Sequence, residues 1–166
     1  MALRNLGMDS VPIPSGPSRE PRWPSGIVGS ISHTDTCSVA AVARRSKGYS
    51  GIGIDVETPG ELDEPLWDLV CTPRERASIT GKTCSAAGLK AKAIFSIKES
   101  VFKCQFPVTG VWLEFTDIEV ELSSDRSRFE AFFLRDAGSL RWGDKVRGCL
   151  LETPQFVLSS AWIRAE

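Results

Sequence analysis

Two acidic residues, Asp55 and Glu57, stand two positions apart in the segment GIGIDVE, residues 51–57. Alternate residues of a β-strand point to the same face, so an extended segment presents both carboxylates together while Ile54 and Val56 face the core. Adjacent carboxylates repel unless a cation lies between them. Mg²⁺ suits such a pair, because it binds a few carboxylates and completes its octahedron with water and phosphate oxygens. The alternative is a strand end whose acids are simply solvated.

A third acid, Glu99, lies in the most helix-like part of the chain, four residues after Phe95 and three before Phe102. Residues at these spacings share one helix face, so we expect the carboxylate to be partly desolvated unless it is paired. Lys98 and Lys103 flank it. An ordinary Glu99–Lys103 pair, worth roughly a few tenths of a kcal/mol, explains one lysine. If Glu99 binds a cation and the two lysines bind phosphate oxygens, the presence of both lysines is explained. The segment therefore predicts a site for a phosphate and a metal ion.

Three familiar nucleophile and phosphate motifs are excluded by single residues. His33 is the only histidine, and it stands where the hydrolase motif G-x-S-x-G needs a glycine. A dinucleotide-binding glycine motif that begins at Gly51 fails because its third glycine position is Val56. A P-loop through the segment GKT, residues 81–83, fails because its first glycine position is Arg76.

The elements that would position these residues follow an irregular order of strands, helices and more strands. This order favours an α+β fold over a regular βαβ array. Residues 9–26 hold five of the ten prolines and are predicted to form an ordered loop, because proline cannot continue a helix and Trp23 needs a packing partner. Strands are predicted at 27–28, 38–43, 51–57, and within 111–122, 128–134 and 156–163.

Two helices are predicted. Residues 72–75, TPRE, are typical of a helix start with a threonine cap and proline in the first turn. Residues 89–106 form the longer helix, which Pro107 is expected to end. Its apolar positions fall in two adjacent stripes, so this helix is expected to be largely buried. The stripes are Ile94, Ile97, Val101 and Cys104, and Phe95, Phe102 and Phe106.

Composition limits the class of protein. The 166 residues carry 20 basic and 21 acidic side chains, so the chain lacks the basic field that indicates nucleic acid as a partner. No apolar run reaches the roughly 18–20 residues that cross a bilayer. Five scattered cysteines form no C-x-x-C pair, which argues against a zinc knuckle and favours reduced, mostly buried thiols. A cytoplasmic protein without a secretory signal or transmembrane segment is predicted.

Three segments, GSISHT, GIGIDVE and FSIKESVFK, resemble in order and spacing the motifs of the 4′-phosphopantetheinyl transferases of the surfactin-synthetase-activating type. The closer likeness is to the enterobactin-synthase component D branch, in the loop REPRWPSGIVGSISH and in the continuation KESVFKCQFP. The resemblance covers roughly residues 15–113, and the later strands match only in general character.

This resemblance implies a reaction and a fold. The family transfers the 4′-phosphopantetheine moiety of coenzyme A to a serine of an apo acyl or peptidyl carrier protein, releases 3′,5′-ADP and depends on Mg²⁺. Its fold is a pseudo-two-fold pair of α+β lobes with coenzyme A between them. The resemblance favours carriers of siderophore, nonribosomal peptide or polyketide synthesis. Two alternatives stay open: a catalytically impaired coenzyme A-binding remnant, and a Mg²⁺-dependent pyrophosphate hydrolase.

Residue by residue, the resemblance implies that Asp55, Glu57 and Glu99 bind the metal ion. Lys98 and Lys103 match lysines that bind the phosphates of coenzyme A. With Glu99, these two lysines are the expected catalytic residues: the lysines stabilise charge on the leaving phosphate, and Glu99 or a water that it holds takes the proton of the serine. The residues alone do not decide which of these is the base.

Four further residues match contacts to coenzyme A. Ser32 and His33 match residues at the nucleotide, with His33 near the 3′-phosphate. The loop from Ser15 to Arg19 matches a segment beside the nucleotide, although a basic residue is frequent in the family where Ser15 stands.

Members of this type usually have a substantial segment before the point where this chain begins. Residues 1–50 therefore resemble only the later part of the first lobe, and residues 51–166 resemble a complete second lobe with the metal-binding strand and the KES helix. We expect weaker coenzyme A affinity from an incomplete first lobe. A monomer is expected, with self-association as a way to cover exposed apolar surface.

Overall fold

A computed structural model describes residues 1–165 as a β-hairpin, a five-stranded antiparallel sheet and one long helix with shorter helices around it. This is the α+β fold that the sequence predicts. The elements are α1 (Ala2–Asn5), β1 (Ile27–His33), β2 (Ser38–Arg44), β3 (Tyr49–Glu57), α2 (Trp67–Val70), α3 (Pro73–Ile79), α4 (Cys84–Thr109), β4 (Ile118–Leu122), β5 (Arg128–Phe133), β6 (Lys145–Glu152) and β7 (Val157–Arg164).

The large sheet has the strand order β3-β7-β6-β5-β4. Its last strand in the chain, β7, therefore lies between β3 and β6, and it pairs antiparallel with both. Asp55 on β3 is opposite Ser159, and Glu57 is opposite Val157. The strand that carries the two acids is thus an edge strand whose register is set by residues about a hundred positions later.

Helix α4 lies between this sheet and the short helices α2 and α3. Its predicted stripe of Ile94, Ile97, Val101 and Cys104 is fully buried, as expected. One side packs against sheet residues such as Phe129 and Phe133, and the other against a smaller apolar cluster around Trp67 and Ile79.

The second apolar stripe of α4 is less deeply buried than the first. Phe95, Phe102 and Phe106 are half-buried. They contact other aromatic rings on the surface: Phe95 packs on Phe115, with ring centroids 5.4 Å apart, and Phe102 packs on Trp112. A row of aromatic residues that partly faces solvent beside an acid is typical of a binding surface rather than of a core.

Pro107 does not end α4, which continues to Thr109. A proline in the last turn removes only one helical hydrogen bond, so its cost there is small. The helix ends at Gly110, which adopts the left-handed conformation with φ 68° and donates its N–H to the carbonyl of Phe106. The predicted start at residue 89 is also late, because Thr83 caps the helix by accepting the N–H of Ala86.

The later strands depart from the prediction in two places. The expected strand 111–122 forms only from Ile118, because residues 115–117 make a 3₁₀ turn. Strand β6 was not predicted at all. Its buried residues alternate with Lys145, Arg147 and Cys149, and Gly148 lowers its strand propensity. For these reasons the sequence of this half-exposed strand lacks the apolar run by which the other strands were predicted.

The β1–β2 hairpin packs against β3 through serine side chains. The Ser30 hydroxyl donates to the carbonyl of Ile54, and the Ser32 hydroxyl accepts the N–H of Val56. The proline-rich loop before the hairpin is ordered, as expected, because the Trp23 indole N–H donates to the carbonyl of Gly29 at 2.8 Å. The hairpin therefore lies over the strand that carries the two acids.

The five cysteines are free, as predicted, although Cys84 and Cys149 are exposed where the sequence suggested mostly buried thiols. Burial raises the pKa of the Cys71 thiol to about 11 and that of the Cys104 thiol to about 12, which keeps both protonated. Within residues 1–165, no helix combines the length and the apolar character that a membrane span requires.

Two glycines set the distance between β3 and α4. A Cβ atom on Gly53 would lie 1.8 Å from the carbonyl oxygen of Ser100, and one on Gly51 would lie 2.4 Å from that of Cys104. Both contacts are with helix backbone, which cannot move aside as a side chain does. The alternation of glycine in GIGID therefore permits the helix to lie directly on the strand.

We predict that Gly53→Ala lowers the free energy of unfolding by about 1–3 kcal/mol or more, because the added methyl group overlaps the backbone of α4. Gly16→Ala is the matched control, since its methyl group meets only the flexible end of Glu20 and should change stability by less than about 0.5 kcal/mol. Urea unfolding measures both. Equal stability of Gly53→Ala and the wild type would contradict the close approach.

Candidate active site

Asp55 and Glu99 share one ammonium group. Asp55 on β3 is 2% exposed, and its Oδ1 accepts a hydrogen bond of 2.6 Å from Nζ of Lys103. The same Nζ lies 3.9 Å from Oε2 of Glu99, one turn earlier on α4. The strand and the helix therefore bring together two of the acids and one of the lysines that the sequence singled out.

Ser32 connects the hairpin to this cluster. Its hydroxyl donates to Oδ1 of Asp55 at 3.0 Å and accepts from Lys103 Nζ at 3.1 Å. Because the hydroxyl also accepts the N–H of Val56, its orientation is fixed from both sides. Ser32 thus orients Asp55.

The second oxygen of Asp55, Oδ2, is buried and has no hydrogen-bond partner among residues 1–165. A buried carboxylate oxygen without a partner is costly, and nearly all such oxygens in proteins are paired. This orphaned atom belongs to one of the predicted metal ligands. The donor set at the cluster consists of carboxylate oxygens, which are the ligands that hard divalent cations prefer.

Glu57 is held by a lysine that the sequence reasoning missed. Lys92 Nζ lies 2.6 Å from Oε2 of Glu57 and 5.6 Å from the ring centroid of Phe95. Lys92 precedes Glu99 by seven residues on α4, so it lies on the same helix face two turns earlier. The spacing of seven residues between Lys92 and Glu99 is the feature of the sequence by which Lys92 could have been assigned to the site.

The pKa of Glu99 is affected by its burial and by the charged groups around it. Burial raises the pKa of Glu99; the charge of Lys103 opposes this rise, and the charges of Asp55 and Glu57 add to it. As they stand, however, no three Asp, Glu, His or Cys side chains within residues 1–165 are arranged as a ready metal site. Lysines hold Asp55 and Glu57 instead.

Two cavities open on either side of a wall formed by Phe102 and Trp112, whose ring centroids are 4.8 Å apart. The first, of about 180 Å³, contains Lys103; the second, of about 200 Å³, contains Glu99. The first is lined by Ser18, Arg19, Glu20, Pro21, Gly29, Ser30, Ile31, Phe102, Lys103, Phe106, Pro107 and Trp112. The second is lined by Lys98, Glu99, Phe102, Trp112, Leu113, Glu114, Phe115 and Ile118.

Arg19, His33 and Ser15 are the other residues expected at the nucleotide. Arg19 lines the first cavity, in the left-handed conformation with φ 64°. His33 is exposed at the end of β1, two residues after Ile31 and therefore on the same side of the strand as that cavity residue. Ser15 lies at the base of the loop, where its backbone pairs with Pro21, and it is not among the residues that line either cavity.

Lys98 does not present its charge to the site. Its side chain is 0% exposed, and its Nζ donates to Oε2 of Glu75 at 2.6 Å and to the carbonyl of Val70 at 2.8 Å. Consecutive helix residues point about 100° apart, so Glu99 faces the cluster while Lys98 faces α3. The Lys98 ammonium is therefore paired with Glu75 in this arrangement, and its expected role at the phosphates stays a prediction.

The partner of Lys98 has several other roles. The predicted threonine cap at the start of α3 is confirmed, and Glu75 completes a capping box there by accepting the N–H of Thr72. It also accepts the N–H of Val120 on β4 at 2.7 Å. Burial lowers the pKa of Lys98, and the charge of Glu75 counteracts that shift. The pair joins α3, α4 and β4 within the core.

Comparison with protein families matches both parts of the chain. A sequence profile described as the 4′-phosphopantetheinyl transferase superfamily matches residues 51–152. A second profile, described as the 4′-phosphopantetheinyl transferase N-terminal domain, matches residues 1–43. The first match alone covers more than half of the chain.

Several curated proteins are similar in sequence. The 4′-phosphopantetheinyl transferase Svp of Streptomyces mobaraensis is 37% identical over 134 residues, which are 80% of this chain and 54% of Svp. The transferase PptT of Mycobacterium tuberculosis is 35% identical over 144 residues, 84% of this chain and 63% of PptT. Enterobactin synthase component D of Escherichia coli K12 is 38% identical over 105 residues, 61% of this chain and 47% of that protein. The chain therefore spans about half of the length of these relatives, or somewhat more.

A solved structure has a similar fold. It is a holo-(acyl-carrier-protein) synthase from Bacillus anthracis str. Ames in complex with CoA (3′,5′-ADP). It matches with a TM-score of 0.50 over 72% of this chain and 99% of the synthase chain, at 19% sequence identity. The similarity supports the α+β fold assigned from the sequence.

We predict that Lys98→Met lowers the free energy of unfolding by about 3–5 kcal/mol, because it leaves the Glu75 carboxylate buried without its counter-ion. Lys145→Met, which breaks a surface pair with Glu130, is the control and should change stability little. Both are measured by chemical denaturation. A Lys98→Met protein as stable as the control would show that the core does not depend on this pair.

Proposed function

Because a profile covering residues 51–152 matches it, the chain belongs to the 4′-phosphopantetheinyl transferase superfamily, and we propose that it transfers the 4′-phosphopantetheine moiety of coenzyme A to a serine of an apo carrier protein. In this reaction the serine oxygen bonds to the β-phosphorus of coenzyme A, and 3′,5′-ADP leaves. The observation that carries the proposal is the Asp55–Lys103–Glu99 cluster beside two cavities that share Phe102 and Trp112 as lining residues.

The two cavities suggest how coenzyme A lies in the site. The anionic nucleotide end suits the first cavity, where Arg19 and Lys103 supply positive charge, with His33 on the same side. The uncharged pantetheine arm suits the second cavity, because five of its eight lining residues are apolar or aromatic and the other three are Lys98, Glu99 and Glu114. In this orientation the pyrophosphate lies between the cavities, close to Lys103.

We assign Asp55, Glu57 and Glu99 as the residues that would hold Mg²⁺. The buried, unpartnered Oδ2 of Asp55 and the all-oxygen donor set support this assignment. When bound, the ion would neutralise the pyrophosphate oxygens and align the serine for attack.

The chain's own residues supply the remaining chemistry. Lys103 stabilises the charge that builds up on the departing phosphate oxygens. We propose that Glu99, or a water that it holds, accepts the serine proton. Ser32 keeps Asp55 oriented through its hydrogen bond of 3.0 Å.

The partners and the organisation of the chain follow from the same proposal. Similarity to enterobactin synthase component D favours carriers of siderophore peptide synthesis. We propose that residues 1–50 act as part of an N-terminal lobe whose hairpin supports the metal-binding strand, and that residues 51–166 form the lobe that holds the metal. The five free cysteines support a reducing compartment, the cytoplasm, as the place of the reaction. A monomer remains the expected oligomeric state.

The proposal is tested by incubating the protein with coenzyme A, Mg²⁺ and a panel of apo carrier proteins, and by measuring the carrier mass. Asp55→Asn and Glu99→Gln should each lower the transfer rate at least about 100-fold, since each removes charge from the reacting centre. Glu130→Gln removes the same charge from the far surface and should not change it.

Other outcomes of this assay would replace the proposal. Coenzyme A binding without any carrier mass gain would indicate a binding protein without activity. Release of 3′,5′-ADP at the same rate without carrier would indicate a hydrolase. Either result contradicts the transferase.

We also predict that Trp112→Ala raises the KM for coenzyme A about tenfold, because the indole forms the wall between the two cavities. Trp142→Ala is the matched control, since this tryptophan is similarly exposed but lies in the β5–β6 connection. Steady-state kinetics measure both. An unchanged KM for Trp112→Ala would contradict the placement of coenzyme A.

A further inference from the structure

The acidic centre already contains a positive charge. Lys103 Nζ contacts Oδ1 of Asp55 at 2.6 Å and the Ser32 hydroxyl at 3.1 Å, and it lies 3.9 Å from Glu99. The other oxygen of Asp55 is buried without a partner. The carboxylate is therefore half satisfied: an ammonium group neutralises one oxygen, while the other is positioned to accept a second cation.

On the basis of the proposed function, we propose that Lys103 is the resident counter-ion of the metal site. Its ammonium neutralises Asp55 while the site lacks a divalent cation. When the cation binds, Lys103 releases Asp55 and turns to the phosphates of coenzyme A. One lysine thus has two successive partners, and the binding of metal and of substrate is coupled through it.

Repulsion makes the release favourable. A divalent cation held by Asp55 and Glu99 would share both carboxylates with the Lys103 ammonium, which lies 2.6 Å and 3.9 Å from them, and like charges so close in a partly buried site would repel strongly. Lys103 is also able to move, because it has a flexible four-carbon stem and is 27% exposed. It lines the first cavity together with Arg19, so an anionic acceptor is within its reach.

Lys92 has a different role, although it forms a similar pair with Glu57. It is only 13% exposed, and its ammonium lies over the ring of Phe95. Neither cavity includes it among its lining residues. Lys92 is therefore a positioning residue that keeps Glu57 in place, and Lys103 is the one of the two that exchanges partners.

The inference is tested on the metal-free protein by titration with Mn²⁺, with free Mn²⁺ measured by electron paramagnetic resonance and without coenzyme A. Lys103→Met should bind Mn²⁺ about tenfold more tightly than the wild type, because the competing charge is gone. Lys103→Arg keeps the charge and should not gain affinity. Lys82→Met removes an exposed lysine before α4 and should match the wild type.

A second measurement tests the coupling. Saturating coenzyme A should tighten Mn²⁺ binding by the wild type, and it should do so much less in Lys103→Met. Lys103→Met should also gain more thermal stability from Mn²⁺ than the wild type, because it lacks the ammonium that neutralises Asp55. If Lys103→Met does not fold without metal, Lys103→Gln, whose amide can still reach Asp55 and Ser32, replaces it.

Unchanged or weaker Mn²⁺ affinity in both folded variants would overturn the inference. The carrier assay separates this failure from failure of the proposed function. A wild type that modifies carriers, combined with variants that gain no Mn²⁺ affinity, rejects the partner exchange alone. Tighter Mn²⁺ binding by the variants, combined with a wild type that modifies no carrier, rejects the transferase and retains the counter-ion role.

Discussion

The backbone of α4 lies directly on β3, and the positions of Asp55, Glu99 and Lys103 relative to one another depend on this contact. Gly51 and Gly53 remove the side chains that would separate the two elements. With the helix so close, Asp55 on the strand and Lys103 on the helix meet at hydrogen-bond distance, and Glu99 comes within range of the same ammonium. In the short motif GIGID, the two glycines permit close packing of strand and helix, and the acid, Asp55, belongs to the candidate active site.

Two lysines five residues apart on α4 illustrate how burial decides what a charge does. The side chain of Lys98 is buried, and its ammonium donates hydrogen bonds to Glu75 and to a backbone carbonyl. It therefore stabilises the junction of α3, α4 and β4. Lys103 is partly exposed at the edge of a cavity, so its partner can change. A buried ion pair with all its hydrogen bonds formed, such as Lys98–Glu75, stabilises the fold. A partly exposed pair beside an unpartnered oxygen, such as Lys103–Asp55, is able to change partners when a ligand binds.

The sequence was sufficient for the features that depend on local chemistry. Period-two alternation placed β3, helical spacing placed the buried stripe of α4, and the cap at Thr72 placed α3. Features that depend on tertiary partners were not accessible. The orientation of Lys98 depends on Glu75, which is 23 positions away, and the exposure of Phe102 depends on a cavity that the loop before β1 helps to form. Strand β6 was hidden because its exposed positions carry polar residues.

The position of β7 between β3 and β6 has a consequence for how the molecule is made. Until residues 157–164 have been synthesised, β3 lacks its only neighbour in the large sheet, although the hairpin and α4, which also pack on it, are already present. Pairing across so long a stretch of chain is slow to form, and a nascent chain waiting for it exposes an unpaired apolar edge.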